Sequence, residues 1–341
     1  MKRHIFIFAK ILLVCTIGVV IGWYGRNYYQ SQQPNKLIEI RENDTKYHYI
    51  NPLLLVDSPK EAPEYSQLKK DLNSFISSEK TKKEADSVSV YIRDLNSGKW
   101  TGIDQDSLYD PSSMLKVAVM LGYLNKADTD PNVLSQKLDY TAIVDPGQNY
   151  KPEHPLQNGS YTVRDLIEAM IIDSDNNALN VLYNNDKQSL ADVLKSLSIP
   201  PPSSIDQTDF MSPKTYSSIF RTLYSSTFLS RELSEQTLQL LSYTNFKNGL
   251  VAGLPKNMIV AHKFGEHTST VNGVTQSRQL HDCGIVYYPE HPYLLCVMTR
   301  GQDFKKLEYV ISNISRTVYS EISAKDPVQI NTSTSTPESS I

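Results

Sequence analysis

The order of secondary structure that residues 64–324 predict constrains the fold more than any other feature of this sequence. The pattern gives a helix, two strands, a long helical section, three strands and a final helix. Strands that occur in runs, without a helix between each pair, are typical of an antiparallel sheet. The sequence therefore predicts an α+β fold, in which helices flank an antiparallel five-stranded sheet and an all-α subdomain follows its second strand.

Hydrophobic periodicity is the basis of these predictions, because apolar positions recur at helical spacing or alternate as in a strand. They are Leu68, Leu72, Phe75 and Ile76 in the first helix, Val88, Val90 and Ile92 in the first strand, and Leu307, Val310, Ile311, Ile314 and Val318 in the last helix. The three late strands are predicted at residues 258–264, 284–288 and 293–298.

The N-terminal segment predicts membrane attachment. Residues 5–25 carry only one charge, Lys10, and about 20 apolar residues span a bilayer. Lys2 and Arg3 precede the stretch, so the N-terminus is expected in the cytoplasm and the rest of the chain outside the cell membrane. A cleaved signal peptide is the alternative, although no small-x-small cleavage site is visible. We predict a single-pass anchor at residues 1–26, a spacer at 27–63, a folded domain at 64–324 and a disordered tail at 325–341.

Composition excludes several other classes of protein. The 34 basic and 37 acidic side chains leave no basic excess, which disfavours nucleic acid as a partner. Three cysteines cannot provide a four-thiolate metal site. Cys283 and Cys296 lie on the two arms of the last predicted hairpin, where they either form a disulfide or stay as buried free thiols.

Three short motifs carry the chemistry. Ser113 and Lys116 form an S-x-x-K motif, in which a neutral lysine amine on the same helix face can take the proton of the serine hydroxyl. Ser174-Asp175-Asn176 begins 61 residues after Ser113, and Lys263-Phe264-Gly265 begins a further 89 residues on. Each motif alone also fits an ordinary helix face, turn or strand end. The ordered set is far more specific than any member.

This ordered set resembles the one shared by class A β-lactamases and penicillin-binding proteins. The resemblance extends from about Val88 to Ser323, and the class A branch is the most similar. It implies a serine hydrolase that works through an acyl-enzyme and needs no metal or other cofactor. The implied substrate is a β-lactam or the D-Ala-D-Ala stem of peptidoglycan, which β-lactams mimic.

The resemblance also implies a role for each motif residue. Ser113 would be the acylated nucleophile and Lys116 its base, while Ser174 and Lys263 would pass a proton to the leaving group. The substrate-binding positions would be Asn176, Phe264, Gly265 and Glu266. The backbone N–H groups of Ser113 and Glu266 would form the oxyanion hole.

The chain departs from the class A pattern in the loop after the second motif. Hydrolysing class A enzymes carry a glutamate there, which activates the water that releases the acyl group. No glutamate occurs between Glu168 and Glu232 in this sequence. Asp206 and Asp209 are the nearby carboxylates, and loop or helix-cap roles suit them better than a catalytic one. Acylation chemistry is therefore expected to be intact, whereas fast deacylation is not.

A second departure is Phe264, where the family usually has Thr or Ser. That hydroxyl helps to bind the substrate carboxylate, and Phe supplies none, although its side chain could pack elsewhere. Lys263, His267, Thr268 or Ser269 could compensate. A metal at His267 is not expected, because His262, five residues away, is the only histidine near it in sequence.

A different class of function stays open, namely a non-catalytic cell-envelope module that keeps the fold for binding. The short loop and Phe264 motivate this alternative. A glycoside hydrolase is disfavoured because no plausible pair of catalytic carboxylates stands out.

Overall fold

A five-stranded antiparallel sheet is the centre of the fold. The computed structural model describes residues 47–52, 60–144, 148–201 and 208–325. The sheet consists of β1 (Ser87–Asp94), β2 (Trp100–Ile103), β5 (Val260–Val271), β6 (Val274–Val286) and β7 (Tyr293–Gly301). Its strand order is β2-β1-β7-β6-β5, and every neighbouring pair is antiparallel. The predicted α+β fold and its antiparallel sheet are confirmed.

Eight α-helices surround this sheet within the described ranges. They are α1 (Ser66–Thr81), α2 (Lys116–Ala127), α3 (Val163–Ile172), α4 (Asn176–Asn185), α5 (Lys187–Ser196), α6 (Pro213–Tyr224), α7 (Arg231–Ser242) and α8 (Phe304–Lys325). Helices α2 to α7 lie between the second and third strands of the sheet in the chain, where the all-α subdomain is predicted. A small two-stranded sheet, β3 (Lys137–Tyr140) with β4 (Gly159–Thr162), is part of that subdomain.

Successive residues of each strand face two different cores, because side chains alternate across a sheet. On one face, Val90 and Ile92 pack with residues of α1 and α8. On the other face, Tyr91 packs with residues of α2 and α6. In β5, the side chains of His262 and Phe264 lie on the face of the sheet that α8 covers. The side chain of Lys263, between them, points towards the helical subdomain. The third motif therefore divides its side chains between the two faces of the sheet.

Helix starts follow the sequence signals. Thr162 and Asp165 form a complete capping box at the start of α3, with each side chain bonded to the backbone of the other residue. Pro213 occupies the first turn of α6, and the Ser212 side chain caps it by accepting the N–H of Thr215. Both helices thus begin at residues whose side chains satisfy free backbone N–H groups.

The late strands are longer than their sequence pattern predicts. β6 begins at Val274, well before residue 284, and joins β5 through the two-residue turn Asn272-Gly273. Both turn residues have positive φ, 51° and 77°, which suits Asn-Gly in a tight hairpin. The outer parts of β5 and β6 consist mostly of exposed and half-buried polar residues, so their hydrophobic signal is weak.

The last hairpin brings Cys283 directly opposite Cys296, and the structure joins them in a disulfide. Of the two alternatives for this pair, the cross-strand disulfide is therefore the one that the fold adopts. Both cysteines are fully buried.

The predicted anchor at residues 1–26 lies outside the described residues and stays a prediction. Within the described ranges, no helix is both long enough and apolar enough to cross a bilayer. The tail from residue 326 onwards also lies outside the described part.

Residues 47–52 fall within the predicted spacer, yet they lie against the folded domain. We call them the N-terminal strap. The carboxylate of Glu235 on α7 accepts the backbone N–H groups of His48, Tyr49 and Ile50 at 2.6, 2.7 and 2.9 Å. Tyr49 also packs edge-on against Tyr287 and accepts its hydroxyl through the backbone oxygen. One carboxylate thus fixes the point at which the chain reaches the domain.

Replacement of Glu235 by Ala is expected to lower the free energy of unfolding by about 1–3 kcal/mol, because three backbone donors lose a charged acceptor. Urea unfolding measures this change. Glu232→Ala, on the exposed side of the same helix, is the matched control and should cost at most about 0.5 kcal/mol. Equal effects of the two substitutions would contradict the role of Glu235 in holding the strap.

Candidate active site

The nucleophile candidate lies at the entrance to a buried helix. Ser112–Leu115 form a single 3-10 turn, and α2 continues from Lys116. This arrangement brings the Lys116 amine 3.0 Å from the hydroxyl oxygen of Ser113. Ser113 also lines a cavity of about 580 Å³. The S-x-x-K spacing thus places a hydroxyl at the cavity and an amine behind it.

The Lys116 amine connects the first motif to the second. It lies 2.9 Å from the hydroxyl oxygen of Ser174, 2.6 Å from the backbone oxygen of Ser174 and 2.7 Å from the side-chain oxygen of Asn176. These contacts and Ser113 give the amine four oxygen neighbours. In its neutral form the amine can accept the proton of one hydroxyl, and Ser113 is in place to donate it.

Lys263 approaches Ser174 from the opposite side. Its amine lies 2.9 Å from the Ser174 hydroxyl oxygen, so this hydroxyl bridges the two lysines. Lys263 is fully buried, and the loss of water lowers its pKa well below the usual value for lysine. The nearby charge of Lys116 lowers that pKa further. The three motifs therefore meet at Ser174, as the resemblance implies.

Asp175 holds the second motif in place. Its carboxylate accepts the N–H groups of Asn177 and Ala178, which caps α4, and it also accepts the Tyr140 hydroxyl at 2.8 Å. The preceding residue, Ser174, has a φ of 55°, in the left-handed region that costs a non-glycine residue free energy. The cap and the tyrosine thus support a strained turn that aims Ser174 at both amines.

Gly265 allows β5 to come close to the nucleophile turn. A methyl group at this position would lie 2.6 Å from the backbone oxygen of Pro111 and 2.9 Å from Met114. The Ser112 hydroxyl, one residue before Ser113, donates to the backbone oxygen of Glu266. The strand and the turn are therefore in direct contact, and the glycine of the third motif is required by that contact.

Phe264 does not line the Ser113 cavity. Its ring is buried and stacks on Phe246 with centroids 4.2 Å apart, while Tyr150 packs edge-on at 5.5 Å. The Lys263 amine lies 4.3 Å from the centre of the Phe264 ring. The side chain that was predicted to bind substrate instead belongs to the core beneath the lysine, on the face of the sheet that α8 covers.

Two other predicted substrate-binding residues, unlike Phe264, lie at the cavity. Asn176 and Glu266 line the cavity with Ser113. The Glu266 carboxylate also accepts the backbone N–H groups of Asn149 and Tyr150, at 2.8 and 2.9 Å. No local pattern predicts this side-chain role, because residues 149–150 come beside β5 only in the folded chain.

Several further residues of the cavity lie outside the three motifs, and only His267 and Thr268 among them are candidates from the sequence. They include Gln148, Leu179, Asn180, His267, Thr268 and Arg278. Arg278 lies on β6 and reaches the cavity only because its register places it opposite Thr268. The cavity therefore contains a cation outside the three motifs.

Of the two loop carboxylates, Asp209 lies in the described structure, where it does not take the place of the missing glutamate. Asp206 lies outside the described residues. Asp209 accepts the side-chain N–H groups of Gln279 and Arg300 and is not among the residues that line the Ser113 cavity. The structural role predicted for Asp209 is in agreement with these contacts.

A buried histidine positions the residue that leads into the nucleophile turn. His281 lies on β6, and its Nε2–H donates to the backbone oxygen of Asp110 at 3.1 Å, while its Nδ1 accepts the N–H of Thr299. Gln279 on the same strand accepts the N–H of Asp110. Burial keeps this imidazole neutral and lowers its pKa to about 3. The sheet thus holds both backbone groups of Asp110, three residues before Ser113.

The described residues contain no group of three or more His, Cys, Asp or Glu side chains that could hold a metal ion. Nδ1 of His262 forms a hydrogen bond with the Asp282 carboxylate, 2.8 Å away, on the α8 face of the sheet. His267 lies apart from it, beside Asp110.

Comparisons of the sequence and of the fold with known proteins agree on one family. A profile described as the beta-lactamase enzyme family matches residues 67–322. A beta-lactamase from Bacteroides uniformis is 27% identical over 229 residues, which cover 61% of this chain and 77% of that protein. A class A beta-lactamase structure from Bacteroides cellulosilyticus has a TM-score of 0.63 at 20% identity and covers 75% of this chain and 98% of its own. A mutant of PBP-A, solved as an acyl-enzyme complex with penicillin G, has a TM-score of 0.64 at 20% identity over 78% of this chain and all of its own.

His281→Gln is expected to flatten the acid dependence of stability. The folded pKa of about 3 lies below the ordinary value of 6.5, so as pH falls below 6.5 the unfolded state gains a proton that the folded state does not. Stability is therefore lost as pH falls, by about 2 kcal/mol between pH 7 and pH 5.

Urea unfolding at both pH values measures this difference, and the His281→Gln variant should lack it. His154, whose side chain is 76% exposed, provides the control, because His154→Gln should retain the wild-type difference. An unchanged pH dependence in His281→Gln would show that this imidazole is not held neutral.

Proposed function

We propose, since this chain belongs to the beta-lactamase enzyme family and is a serine hydrolase, that Ser113 is its nucleophile and forms an acyl-enzyme with a β-lactam or a D-Ala-D-Ala stem of peptidoglycan. The observation that carries the proposal is the position of the Lys116 amine, 3.0 Å from the Ser113 hydroxyl and 2.9 Å from that of Ser174. A serine becomes a nucleophile when an adjacent base accepts its proton.

In the proposed acylation, Lys116 takes the proton of Ser113 as the serine oxygen attacks the carbonyl carbon. The bond between that carbon and the leaving nitrogen then breaks. Ser174 contacts both lysine amines and can pass a proton to this nitrogen. The backbone N–H groups of Ser113 and Glu266 would stabilise the negative oxygen of the intermediate.

The proposed substrate carries a carboxylate on the carbon that is bonded to the leaving nitrogen. With Phe264 buried, its hydroxyl-free ring cannot bind that carboxylate. Thr268 and Arg278 line the same cavity and supply a hydroxyl and a cation to the proposed complex. The PBP-A mutant that was solved as an acyl-enzyme with penicillin G supports a β-lactam as the probe.

Release of the acyl group is proposed to be slower than its formation. Within the described part of the cavity lining, Glu266 is the one carboxylate, and its Oε1 accepts two backbone N–H groups. A glutamate poised to activate water is therefore not found among these residues.

We also propose that the N-terminal apolar stretch attaches the enzyme to the outer side of the cell membrane.

The most direct test of acylation is intact-protein mass spectrometry after incubation with penicillin G. A mass increase equal to the whole penicillin molecule should appear on the wild-type chain shortly after mixing, and peptide mapping should place it on Ser113. Ser113→Ala should remove it, because the attacking oxygen is absent. Ser77→Ala is the matched control, since Ser77 and Lys80 form another S-x-x-K motif on the exposed face of α1, and it should react like the wild type.

An unmodified wild-type chain would contradict the proposed function and would favour a non-catalytic envelope module. In that case Ser113→Ala would also leave the cellular phenotype unchanged. Nitrocefin hydrolysis separates the two enzymatic forms of the proposal. Turnover well above that of Ser113→Ala would indicate a β-lactamase, whereas an adduct without turnover would indicate a penicillin-binding enzyme.

A further inference from the structure

A histidine and an aspartate lie in contact beside Ser113, and neither belongs to the three motifs. His267 lies on β5, two residues after Gly265, and its Nδ1 is 3.3 Å from Oδ2 of Asp110. Asp110 also accepts the N–H of Ser112 through its other carboxylate oxygen, at 2.8 Å. Because an ionised carboxylate draws the proton of His267 to Nδ1, the lone pair of a neutral ring is left on Nε2.

The pair belongs to the same cavity as Ser113. Both His267 and Ser113 line that space. The residues between them are joined directly, because the Ser112 hydroxyl donates to the backbone oxygen of Glu266 and Gly265 packs against Pro111. The His267 side chain is one-third exposed, which leaves water with access to the ring.

The other described side chains that line this cavity are poor proton acceptors for water. Asparagine, glutamine, serine and threonine are not bases at neutral pH, and arginine stays protonated. The Glu266 carboxylate has an oxygen engaged by the N–H groups of Asn149 and Tyr150, and its other oxygen is buried. His267 is the member of this described set that combines a lone pair, access to water and a carboxylate that orients it.

We propose that His267, oriented by Asp110, is the base that activates water for hydrolysis of the acyl-enzyme. This inference rests on the proposed function, because it needs an acyl group on Ser113. His267 would then perform the task for which hydrolysing relatives use a loop glutamate. Asp110 would act as a positioning residue, through the orientation of the imidazole.

The proposed step is balanced in atoms and protons. Nε2 of His267 removes one proton from a water molecule as the water oxygen bonds to the acyl carbonyl carbon. The tetrahedral intermediate collapses, and the bond between that carbon and Oγ of Ser113 breaks. Oγ takes up the proton that the imidazolium returns, directly or through the Lys116 amine 3.0 Å away. Free Ser113 and a carboxylic acid result, and the acid ionises in solution.

The test measures formation and decay of the acyl-enzyme separately in the full-length protein. Penicillin G is mixed with enzyme, excess penicillin is removed, and intact mass is followed with time. His267→Gln should form the adduct at a rate within about threefold of the wild type. Its adduct should decay at about one hundredth of the wild-type rate or more slowly, as the loss of a general base predicts. His154→Gln is the matched control, because His154 also lies near a carboxylate, 3.5 Å from Asp173, yet does not line the cavity, and its adduct should decay at the wild-type rate.

Asp110→Asn tests the orienting role. The asparagine keeps an oxygen for the N–H of Ser112 but loses the charge that holds the proton on Nδ1 of His267. Adduct decay should slow by about tenfold or more. His267→Ala provides a second variant if His267→Gln does not fold, and added imidazole should accelerate decay of its adduct while leaving the Ser113→Ala protein unmodified.

Decay of the His267→Gln adduct at the wild-type rate would overturn the inference while leaving the proposed acylation intact. Slower adduct formation with unchanged decay would also overturn it, since His267 would then bind substrate. If the wild-type chain forms no adduct, both this inference and the proposed function fail.

Discussion

The buried amine of Lys116 is the interaction on which the rest of the site depends. A lysine amine without water is costly to bury unless polar partners surround it. Here the partners are Ser113, in the same turn as Lys116, and Ser174 and Asn176 of the second motif, so two distant chain segments meet at one nitrogen. Any shift between α2 and the start of α4 would leave this group unsatisfied. The requirement to satisfy it links the packing of the helical subdomain to the chemistry of the site.

Local strain and close packing appear where the site needs them. Ser112 and Ser174 have φ values of 47° and 55°, which non-glycine residues adopt at a cost of about 1–3 kcal/mol. Each is held by several contacts, Ser112 through Asp110 and Glu266, and Ser174 through both lysines. The folded structure thus fixes the two hydroxyl-bearing turns in advance of substrate, which is the form of preorganisation that lowers a reaction barrier.

The burial of Phe264 places an aromatic ring, and no hydroxyl, next to the Lys263 amine. The ring supports the Lys263 amine from beneath, in contact with Phe246 and Tyr150. Burial and the charge of Lys116 hold the pKa of Lys263 far below its usual value. Lys263 is thus held against the Ser174 hydroxyl by packing and by a hydrogen bond, whereas Arg278 lines the cavity itself.

The sequence predicts the fold class, the sheet and the three motifs because these depend on local patterns. Alternation in Val88, Val90 and Ile92 is visible in a short window, as is the S-x-x-K spacing. Contacts between distant segments leave no such pattern. The Glu266 carboxylate meets residues 149–150, and Glu235 meets the strap, only after the chain has folded. The outer half of β6 was missed because its polar alternation is weak, although Asn272-Gly273 is a hairpin signal in the sequence itself.

The most direct test of the central claim, that Lys116 is the base for Ser113, is the rate of acylation by penicillin G in Lys116→Arg. Arginine keeps the positive charge and the hydrogen-bond donors of a protonated lysine, but it cannot accept a proton. If Lys116 is the base, the rate of adduct formation on Ser113 should fall by about 10²–10⁴-fold in a variant whose thermal unfolding shows that it is folded. An acylation rate within about tenfold of the wild type would contradict it, because a permanent cation would then serve as well as a base.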